Sequence, residues 1–548
     1  MPCKVFIGLP GALNSRKSRQ IFTGLTAAVI CAFTWWWFRP SLLNYESYLY
    51  AGGIEGFIDV SKLYNVFVPE IRMPDFSRYH PNHPLPHLLT FALWRAFRFM
   101  GFPIPAVEIL TVINFVASAI AVFLVFRIAL IVTANHSTAF FFALLAGFSP
   151  VFWFSAVSAE SYEVAYCLMV LAFLSMLRPY NQEAFRSTIR KAMVFSLAFC
   201  FHFGIALFAL PIIAWYLVPA VRQKSFRPVL SLMLYGAFCI CCFVLIYVVI
   251  FMQFFGIRTL PEWWQIFSMQ TRIPMGGQYA PEQSGIIAAA EILLTFLAQG
   301  LLAGHGIFER IARIHLLLAI AVGVMFVLRM ARRRAFAAAH AAWIIIPLFF
   351  LLFVMRSPTN ITYSLMLMLP AFLACLMLIQ RAASRKVASG IVMVWMLVTA
   401  VSSLNAIMLP KTGLSEESVF FAARIPHNAL RHETAVALVH NYYGIFPDIY
   451  YLGNRRGIRM DAIFFHYDQK FPAELLAQIH AAGTLQLVTD KLLAHEEAWL
   501  RSKGVSIEQV FFHSEHHPAE RYWFSVRPRI SVADGYRREL SLYRLSVH

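Results

Sequence analysis

Long runs of apolar residues, broken by short polar stretches, recur along the chain from position 21 to position 409. A helix needs about 20 apolar residues to cross the hydrocarbon core of a bilayer, and it satisfies its own backbone there. The pattern therefore predicts an all-α polytopic membrane bundle of about 10–12 spans. The predicted spans are 21–38, 105–126, 138–155, 162–178, 191–219 (two short broken helices), 228–252, 313–329, 338–355, 361–380 and 388–409.

The composition is typical of a membrane protein. Of the 548 residues, 59% are hydrophobic and 14% are charged, whereas soluble domains carry about 25% charged residues. The formal charge is +18, with basic clusters in short loops between the spans, and such clusters stay on the cytosolic side of a membrane. We therefore expect no nucleic-acid partner, a cytosolic N-terminus (1–20) and an integral protein of the plasma membrane, which in a bacterium is the inner membrane.

Two segments are expected to depart from simple crossings. The run 191–219 begins and ends beside cytosolic charges and is too short for two full spans of about 20 residues each, so a break is predicted near Gly204 and Pro211. The run 286–304 is apolar enough to span, but a crossing there would place the next basic cluster outside. It is therefore predicted to lie at the outer surface or to be re-entrant.

The sequence changes character after position 410. Short strand-like runs alternate with helix-like runs, a pattern typical of a small α/β domain. The predicted strands are 434–439, 484–489, 507–512, 522–527 and 540–546, and the predicted helices are 472–482 and 491–503. Because the last predicted span ends outside, the chain divides into a transmembrane domain (21–410), with an extracytoplasmic loop (39–104), and an extracytoplasmic domain (411–548).

The loop after the first predicted span is rich in acids, and Glu46 lies only eight residues past the end of that span. A carboxylate near the bilayer surface is partly desolvated, which raises its pKa and makes it a better base near neutral pH. Glu46 is therefore a candidate proton acceptor. The alternative is a solvated acid that caps a helix.

Three histidines follow in the same loop. His80, His83 and His87 alternate with prolines, which hold the backbone stiff and extended. Beside the next apolar helix, predicted from Leu88, such imidazoles can hydrogen-bond a substrate or orient a carboxylate; the alternative is a rigid turn with exposed rings. Histidines held in an extended stretch do not obviously converge on one ion, so no metal site is predicted.

A further acid lies between the third and fourth predicted spans. The segment 152–162 runs from an aromatic cluster to Ala-Glu-Ser-Tyr and contains Glu160. Glu160 and Glu163 stand at a helix start, where the helix dipole favours negative charge. Alternatively, Glu160 faces an active cavity. The aromatic cluster equally fits an interfacial belt.

Other polar residues allow two interpretations each. Arg356 follows a predicted span on the outer face, where a guanidinium can hold a phosphate in a bidentate manner or snorkel to the interface. His202 lies within a predicted broken helix. A lone buried histidine there is more often hydrogen-bonded to a neighbouring residue of the helix than used as a ligand. The group His513, His516 and His517 could bind a metal, but an exposed polar tail is the favoured interpretation.

In their order along the chain, these motifs resemble those of the GT-C class of polytopic glycosyltransferases, especially its protein O-mannosyltransferase-like members. The shared pattern is an acid soon after the first span (Glu46), a His-Pro motif ending in Pro-Leu (80–85) and an aromatic run leading to Ala-Glu-x-Tyr (152–162). His202 and an outer C-terminal domain also correspond. The chain departs from the pattern in carrying Glu46 without a neighbouring Asp and in lacking the doubled proline after the histidine.

The resemblance implies an enzyme that takes a sugar from a polyprenyl-phosphate carrier and transfers it, with inversion, to a hydroxyl of a protein, lipid or glycan acceptor outside the cytosol. Glu46 would be the base, with Glu160 as a second acid or positioning group. The residues implied to bind substrate are His80, His83, Glu160, Tyr162, His202 and Arg356. No cofactor is implied, and the need for a divalent metal stays open.

Two other classes of protein remain open. A polytopic transporter or lipid flippase would favour acids buried in the middle of spans and an inverted repeat, whereas the acids noted above lie in outer loops. An envelope assembly or binding protein would use the C-terminal domain as its binding module and would not depend on Glu46 for anything but partner binding.

Overall fold

The computed structural model describes residues 10–39, 45–56, 84–159, 162–177, 185–202, parts of 205–221, 224–254, 258–259, 261–262, 364–404, 435–439, 460–464, 473–489, 492, 494–517 and 536–547. The predicted spans 313–329 and 338–355, the predicted surface or re-entrant helix 286–304 and the predicted strand 522–527 lie outside the described residues.

The described part of residues 10–404 is a bundle of α-helices, as predicted. The helices are α1 (Pro10–Trp37), α2 (Tyr45–Glu55), α3 (Pro84–Phe99), α4 (Ala106–Thr133), α5 (His136–Gly147), α6 (Pro150–Val157), α7 (Tyr162–Met176), α8 (Phe185–Phe201), α9 (Arg227–Phe254), α10 (Ser364–Ala382) and α11 (Arg385–Ser403). Within these residues, four segments are long and apolar enough to cross a membrane alone, and they lie in α1, α4, α9 and α11. The chain is therefore an integral membrane protein.

Helix α4 lies at the centre of the described bundle. It packs against α1, α2, α3, α5, α6, α7 and α10. Its residues Val125, Phe126 and Ile128 are completely buried in a core that extends from α1 to α11. Helix α9 is peripheral, since it packs principally against α8 and leaves large apolar side chains such as Ile240 exposed. Exposed apolar side chains on a membrane helix meet lipid.

The segment 138–155, predicted as a span, is not one straight helix: it forms two helices, α5 and α6, bent by 63°. Proline lacks a backbone N–H and disfavours the helical conformation at the residue before it. Accordingly, Ser149, which precedes Pro150, is extended. The bend leaves carbonyl groups without helical partners. Trp35 Nε1 of α1 donates to Gly147 O at 3.0 Å, and Ser403 Oγ of α11 donates to Phe148 O at 2.8 Å.

The long loop between the first two predicted spans contains two helices, α2 and α3. Helix α3 begins at Pro84, where the sequence predicted an apolar helix from Leu88. Its exposed basic groups lie over its own aromatic rings: the Arg95 guanidinium is 5.9 Å from the Phe91 ring centre, and that of Arg98 is 4.9 Å from the Trp94 ring centre. An amphipathic helix with paired basic and aromatic side chains is typical of a membrane interface.

The C-terminal region forms the predicted small α/β domain. Its elements are β1 (Ala435–Val439), β2 (Met460–Phe464), α12 (Ala473–Ala482), β3 (Thr484–Thr489), α13 (Ala494–Ser502), β4 (Val505–His517) and β5 (Tyr536–Val547). The sheet has the order β2-β1-β3-β5-β4. Strands β2, β1 and β3 are parallel, and β5 is antiparallel to both β3 and β4.

The core of this domain lies where the two helices cover the sheet. Leu475 and Ile479 of α12 and Leu500 of α13 are completely buried against Leu485 and Leu487 of β3. Burial of β3 on both faces is typical of a central strand in an α/β sheet.

Two predictions for this domain need correction. Strand β2 was not predicted, and β4 is longer than the predicted 507–512. As a result, the histidines at 513, 516 and 517 belong to a strand paired with β5 and not to a polar tail.

Candidate active site

Helix α2, which begins one residue before Glu46, is fixed to the bundle at both of its ends. Near its start, the completely buried Ser47 accepts a hydrogen bond through Oγ from Ala159 N at 3.0 Å. At its end, Glu55 Oε1 accepts from Ala106 N, the first residue of α4, at 2.8 Å. The start of α2 therefore lies beside the segment between α6 and α7, and its end lies beside the start of α4.

The end of α2 also caps α4. The residue before α4 is Pro105, whose side chain cannot accept a hydrogen bond from the helix. Glu55 supplies the acceptor, and its negative charge suits the positive end of the α4 dipole. Gly56, the residue after α2, has φ +80°, a conformation that glycine adopts without a steric penalty.

The segment that leads to Glu160 is held from α4 as well. Asn114 Nδ2 donates to Ser158 O at 2.9 Å, and both residues are buried. The neighbouring Ala159 N–H is the group that Ser47 binds. Ser158 and Ala159 thus lie between α2 and α4, directly before Glu160 in the sequence.

Two ring contacts join other parts of this region. His87 of α3 is buried and meets the Tyr50 ring of α2 with centroids 4.6 Å apart. Tyr162, the first residue of α7, meets the His202 ring with centroids also 4.6 Å apart. Both members of the second pair are buried, and His202 directly follows α8, where its N–H binds Ala198 O at 3.0 Å.

The predicted site residues fall into three groups. Tyr162 and His202 are in direct contact. For Glu46 the structure describes the helical backbone in the first turn of α2 but not the side chain. Glu160, His80, His83 and Arg356 lie outside the described residues.

Glu163 was considered only as an acid at a helix start, and the structure adds that it is 1% exposed. It lies in the first turn of α7, and the Ser155 hydroxyl lies beside it. This contact does not meet hydrogen-bond geometry: within the part of the chain that is described, neither carboxyl oxygen has a hydrogen-bond partner.

Sequence reasoning missed Ser47, Tyr50, Asn114 and the capping role of Glu55. A signal was available for Asn114, because an amide in the middle of a long apolar run must find a partner inside the protein. The other three carry no such signal, since Ser, Tyr and Glu are ordinary residues in a polar loop.

These contacts connect both ends of α2 with the start of α3, the first third of α4, the start of α7 and the end of α8. They place one acid-bearing segment against another and add a tyrosine–histidine pair next to the second. Among the residues that the structure describes, no group of three or more His, Cys, Asp or Glu side chains is placed to hold a metal ion. The two acid-bearing segments and the tyrosine–histidine pair can support acid–base chemistry near the start of α2.

No protein-family pattern and no curated protein matches the chain. Among solved structures, it is similar to ArnT from Cupriavidus metallidurans bound to undecaprenyl phosphate, with 14% identity, a TM-score of 0.41 and coverage of 95% of this chain and 97% of that chain. It is also similar to the same protein in the apo state, with 13% identity, a TM-score of 0.40 and coverage of 97% and 98%.

Proposed function

We propose that the chain is a membrane glycosyltransferase that moves a sugar from a polyprenyl-phosphate carrier to an acceptor hydroxyl, with Glu46 as the base. One observation carries the proposal. Ser47 and Ala159, the sequence neighbours of Glu46 and Glu160, are joined by a 3.0 Å hydrogen bond although they are 112 residues apart. This contact supports a single site built from the two acid-bearing segments.

The position of the first helix suits a lipid-linked donor. Helix α1 has spanning length and ends at Trp37, and the Arg39 guanidinium lies 4.2 Å from the Trp36 ring centre. Tryptophan and arginine collect where the hydrocarbon core meets water. Helix α2 begins a few residues later, so Glu46 lies close in sequence to the boundary where a carrier with its tail in lipid would present its phosphate.

The proposed reaction is a single displacement. The acceptor oxygen attacks the anomeric carbon while its proton passes to the Glu46 carboxylate. The bond from the anomeric carbon to the phosphate oxygen breaks, and its electron pair leaves with the polyprenyl phosphate. The transition state resembles an oxocarbenium ion, by analogy with glycoside hydrolysis, and one displacement inverts the anomeric configuration.

The other predicted residues have supporting roles in this proposal. Glu160 follows the segment held against α2, which suits a second acid that positions the acceptor. The contact between Tyr162 and His202 offers polar ring edges that can bind sugar hydroxyls. His80 and His83 would shape the donor or acceptor pocket, and Arg356 would offset the charge of the leaving phosphate.

The proposed topology follows from the charges in the sequence. Basic clusters on the cytosolic side place the N-terminus in the cytosol, and the site and the domain 411–548 on the opposite face of a plasma membrane, which in a bacterium is the inner membrane. The acceptor is then a hydroxyl of a protein, lipid or glycan outside the cytosol. The mannosyltransferase-like subgroup remains a prediction.

The test is transfer by the purified protein in vesicles that contain radiolabelled polyprenyl-phosphate sugars. Glu46→Gln removes the proton acceptor and keeps the side-chain shape, so we expect transfer to fall by about 10²-fold or more. Glu55→Gln is the matched control in the same helix, because Glu55 has a structural partner. Full transfer by Glu46→Gln, with a normal thermal unfolding curve, would contradict the proposal.

A flippase is the second candidate, and the buried carboxyl group of Glu163 favours it, because buried acids mark proton and substrate pathways in transporters. A flippase would carry the intact sugar carrier across the vesicle membrane without breaking the sugar–phosphate bond. Analysis of the labelled lipid in the same vesicles separates the two functions.

A further inference from the structure

The two hydrogen bonds that hold the segment before Glu160 act on one peptide unit. Ser158 O and Ala159 N–H belong to the same peptide bond, and the chain contains no cis peptide bond among its described residues. In a trans peptide the carbonyl and the N–H point in opposite directions. Asn114 of α4 and Ser47 of α2 therefore bind this peptide from opposite sides.

From this arrangement we infer that Ser47 and Asn114 are positioning residues, which fix the orientation of the 158–159 peptide and hold the segment before Glu160 against the start of α2. The inference rests on the proposed function, since it concerns the alignment of two acids in one site. Neither residue is proposed to touch substrate.

Burial of the Asn114 side chain costs free energy that a hydrogen bond must offset. Asn114 lies in α4, is 1% exposed and has apolar neighbours in the sequence, including Val112, Ile113 and Phe115. Burying an amide without a hydrogen bond costs roughly 1–3 kcal/mol on mutational data. Asparagine also has a lower helix propensity than leucine. The 2.9 Å bond to Ser158 O offsets these costs.

Ser47 has a similar position in α2. Its side chain is completely buried, and it accepts a hydrogen bond from a backbone group of another segment. It follows Glu46 directly in the sequence, so a displacement of the 158–159 peptide changes how the two acid-bearing segments align. Ser158, the residue after α6, is extended, with φ −92° and ψ 164°, so this peptide lies outside the helix.

Loss of either bond frees the peptide to rotate. A displacement of about 1 Å in an active site costs on the order of 10²-fold in rate. We therefore expect Ser47→Ala and Asn114→Leu each to lower kcat by about 30- to 100-fold, with the KM for the donor within about threefold of wild type. Leucine has the same number and branching of side-chain heavy atoms as asparagine, so Asn114→Leu removes the hydrogen bond without leaving a cavity.

The double variant separates positioning from stability. Both side chains act on one peptide unit, so removal of the second bond adds little once the first is gone. The expected loss of kcat for the double variant is about 100-fold, whereas independent effects would multiply to about 10³-fold or more. A structural role alone predicts additive losses of thermal stability and an unchanged kcat.

Two variants of other buried or capping groups are the controls. Ser403→Ala removes a buried bond from a serine to a backbone carbonyl in another helix, and Asn135→Leu removes the side-chain cap of α5. Both lie away from the 158–159 peptide. We expect them to lower the unfolding temperature and to leave kcat within about twofold of wild type, since they leave that peptide in place.

Hydrogen exchange gives a readout that does not need activity. The Ala159 N–H is protected by Ser47, so Ser47→Ala should speed exchange in a peptide that covers 156–161 by at least tenfold, while Ser403→Ala should not. Unchanged exchange in Ser47→Ala would overturn the inference, and so would faster exchange together with a normal kcat. Absence of transfer by the wild-type protein would instead refute the proposed function, whatever the exchange rates.

Discussion

Helices α4 and α9 are both 28 residues long and nearly equal in hydropathy, yet they occupy opposite kinds of position. Of the most apolar stretch of each helix, 50% is buried in α4 and 6% in α9. Helix α4 packs against most of the described helices of the bundle. Its buried Asn114 donates a hydrogen bond to the carbonyl of Ser158. Hydropathy therefore identifies a helix that crosses the membrane, and its tertiary partners show whether it organises the bundle.

A matched isoleucine pair gives the largest expected difference. Ile128 of α4 is completely buried and Ile240 of α9 is 64% exposed. Ile128→Ala leaves a cavity in the core and should lower the free energy of unfolding by about 2–5 kcal/mol. Ile240→Ala should change it by under about 0.5 kcal/mol. Reversible unfolding in mixed micelles measures both. Equal losses of unfolding free energy would contradict the conclusion that α4 organises the bundle and α9 does not.

The same contrast occurs within α1, between two tryptophans. Trp35 is completely buried and donates to Gly147 O at 3.0 Å, whereas Trp37 is 69% exposed. Trp35→Phe leaves a buried carbonyl without its donor and should cost about 1–3 kcal/mol. Trp37→Phe is the control, with an expected change of under about 0.5 kcal/mol.

Thermal unfolding followed by intrinsic fluorescence compares the two tryptophan variants. A Trp35→Phe variant as stable as wild type would show that the Gly147 carbonyl does not need this bond.

The smallest expected effect concerns the cap that α2 gives to α4. Glu55→Gln keeps an oxygen that can accept from Ala106 N but removes the charge at the α4 N-terminus. The free energy of unfolding should fall by about 0.3–1 kcal/mol. The effect should shrink at high salt, because screening weakens charge–dipole interactions. A loss that does not depend on salt would mean that the charge of Glu55 does not stabilise α4.

The apolar pattern predicted most of the described fold because a helix that crosses a membrane needs a long run of apolar residues. Helices α1, α4, α9 and α11 lie where long apolar runs occur, with ends displaced from the predicted bounds by up to 11 residues in α1, seven in α4 and six in α11. The exception is 138–155, which is bent. Pro150 could have indicated the bend, since a proline in a helical pattern often marks a break. Strand β2 escaped notice because Met460–Phe464 has no alternating pattern and contains Asp461.

Much less of the candidate site could be predicted. The contact between Tyr162 and His202 joins the start of one helix to the end of the next, and local sequence carries no information about such a distance. Ser47 and Asn114 depend on a peptide that neither residue adjoins in sequence. The acid-bearing segments were identified because acids are rare near membrane helices, and the geometry that joins them comes from tertiary structure.

The bend between α5 and α6 has a consequence for how the protein is made. Phe148 O binds Ser403 Oγ, a partner that lies 255 residues later in the chain. At ribosomal speeds of about 5–20 residues per second, that partner is synthesised on the order of tens of seconds after the carbonyl. During this interval the Phe148 carbonyl lacks the Ser403 hydroxyl, so the bend reaches its final form only after α11 has been synthesised.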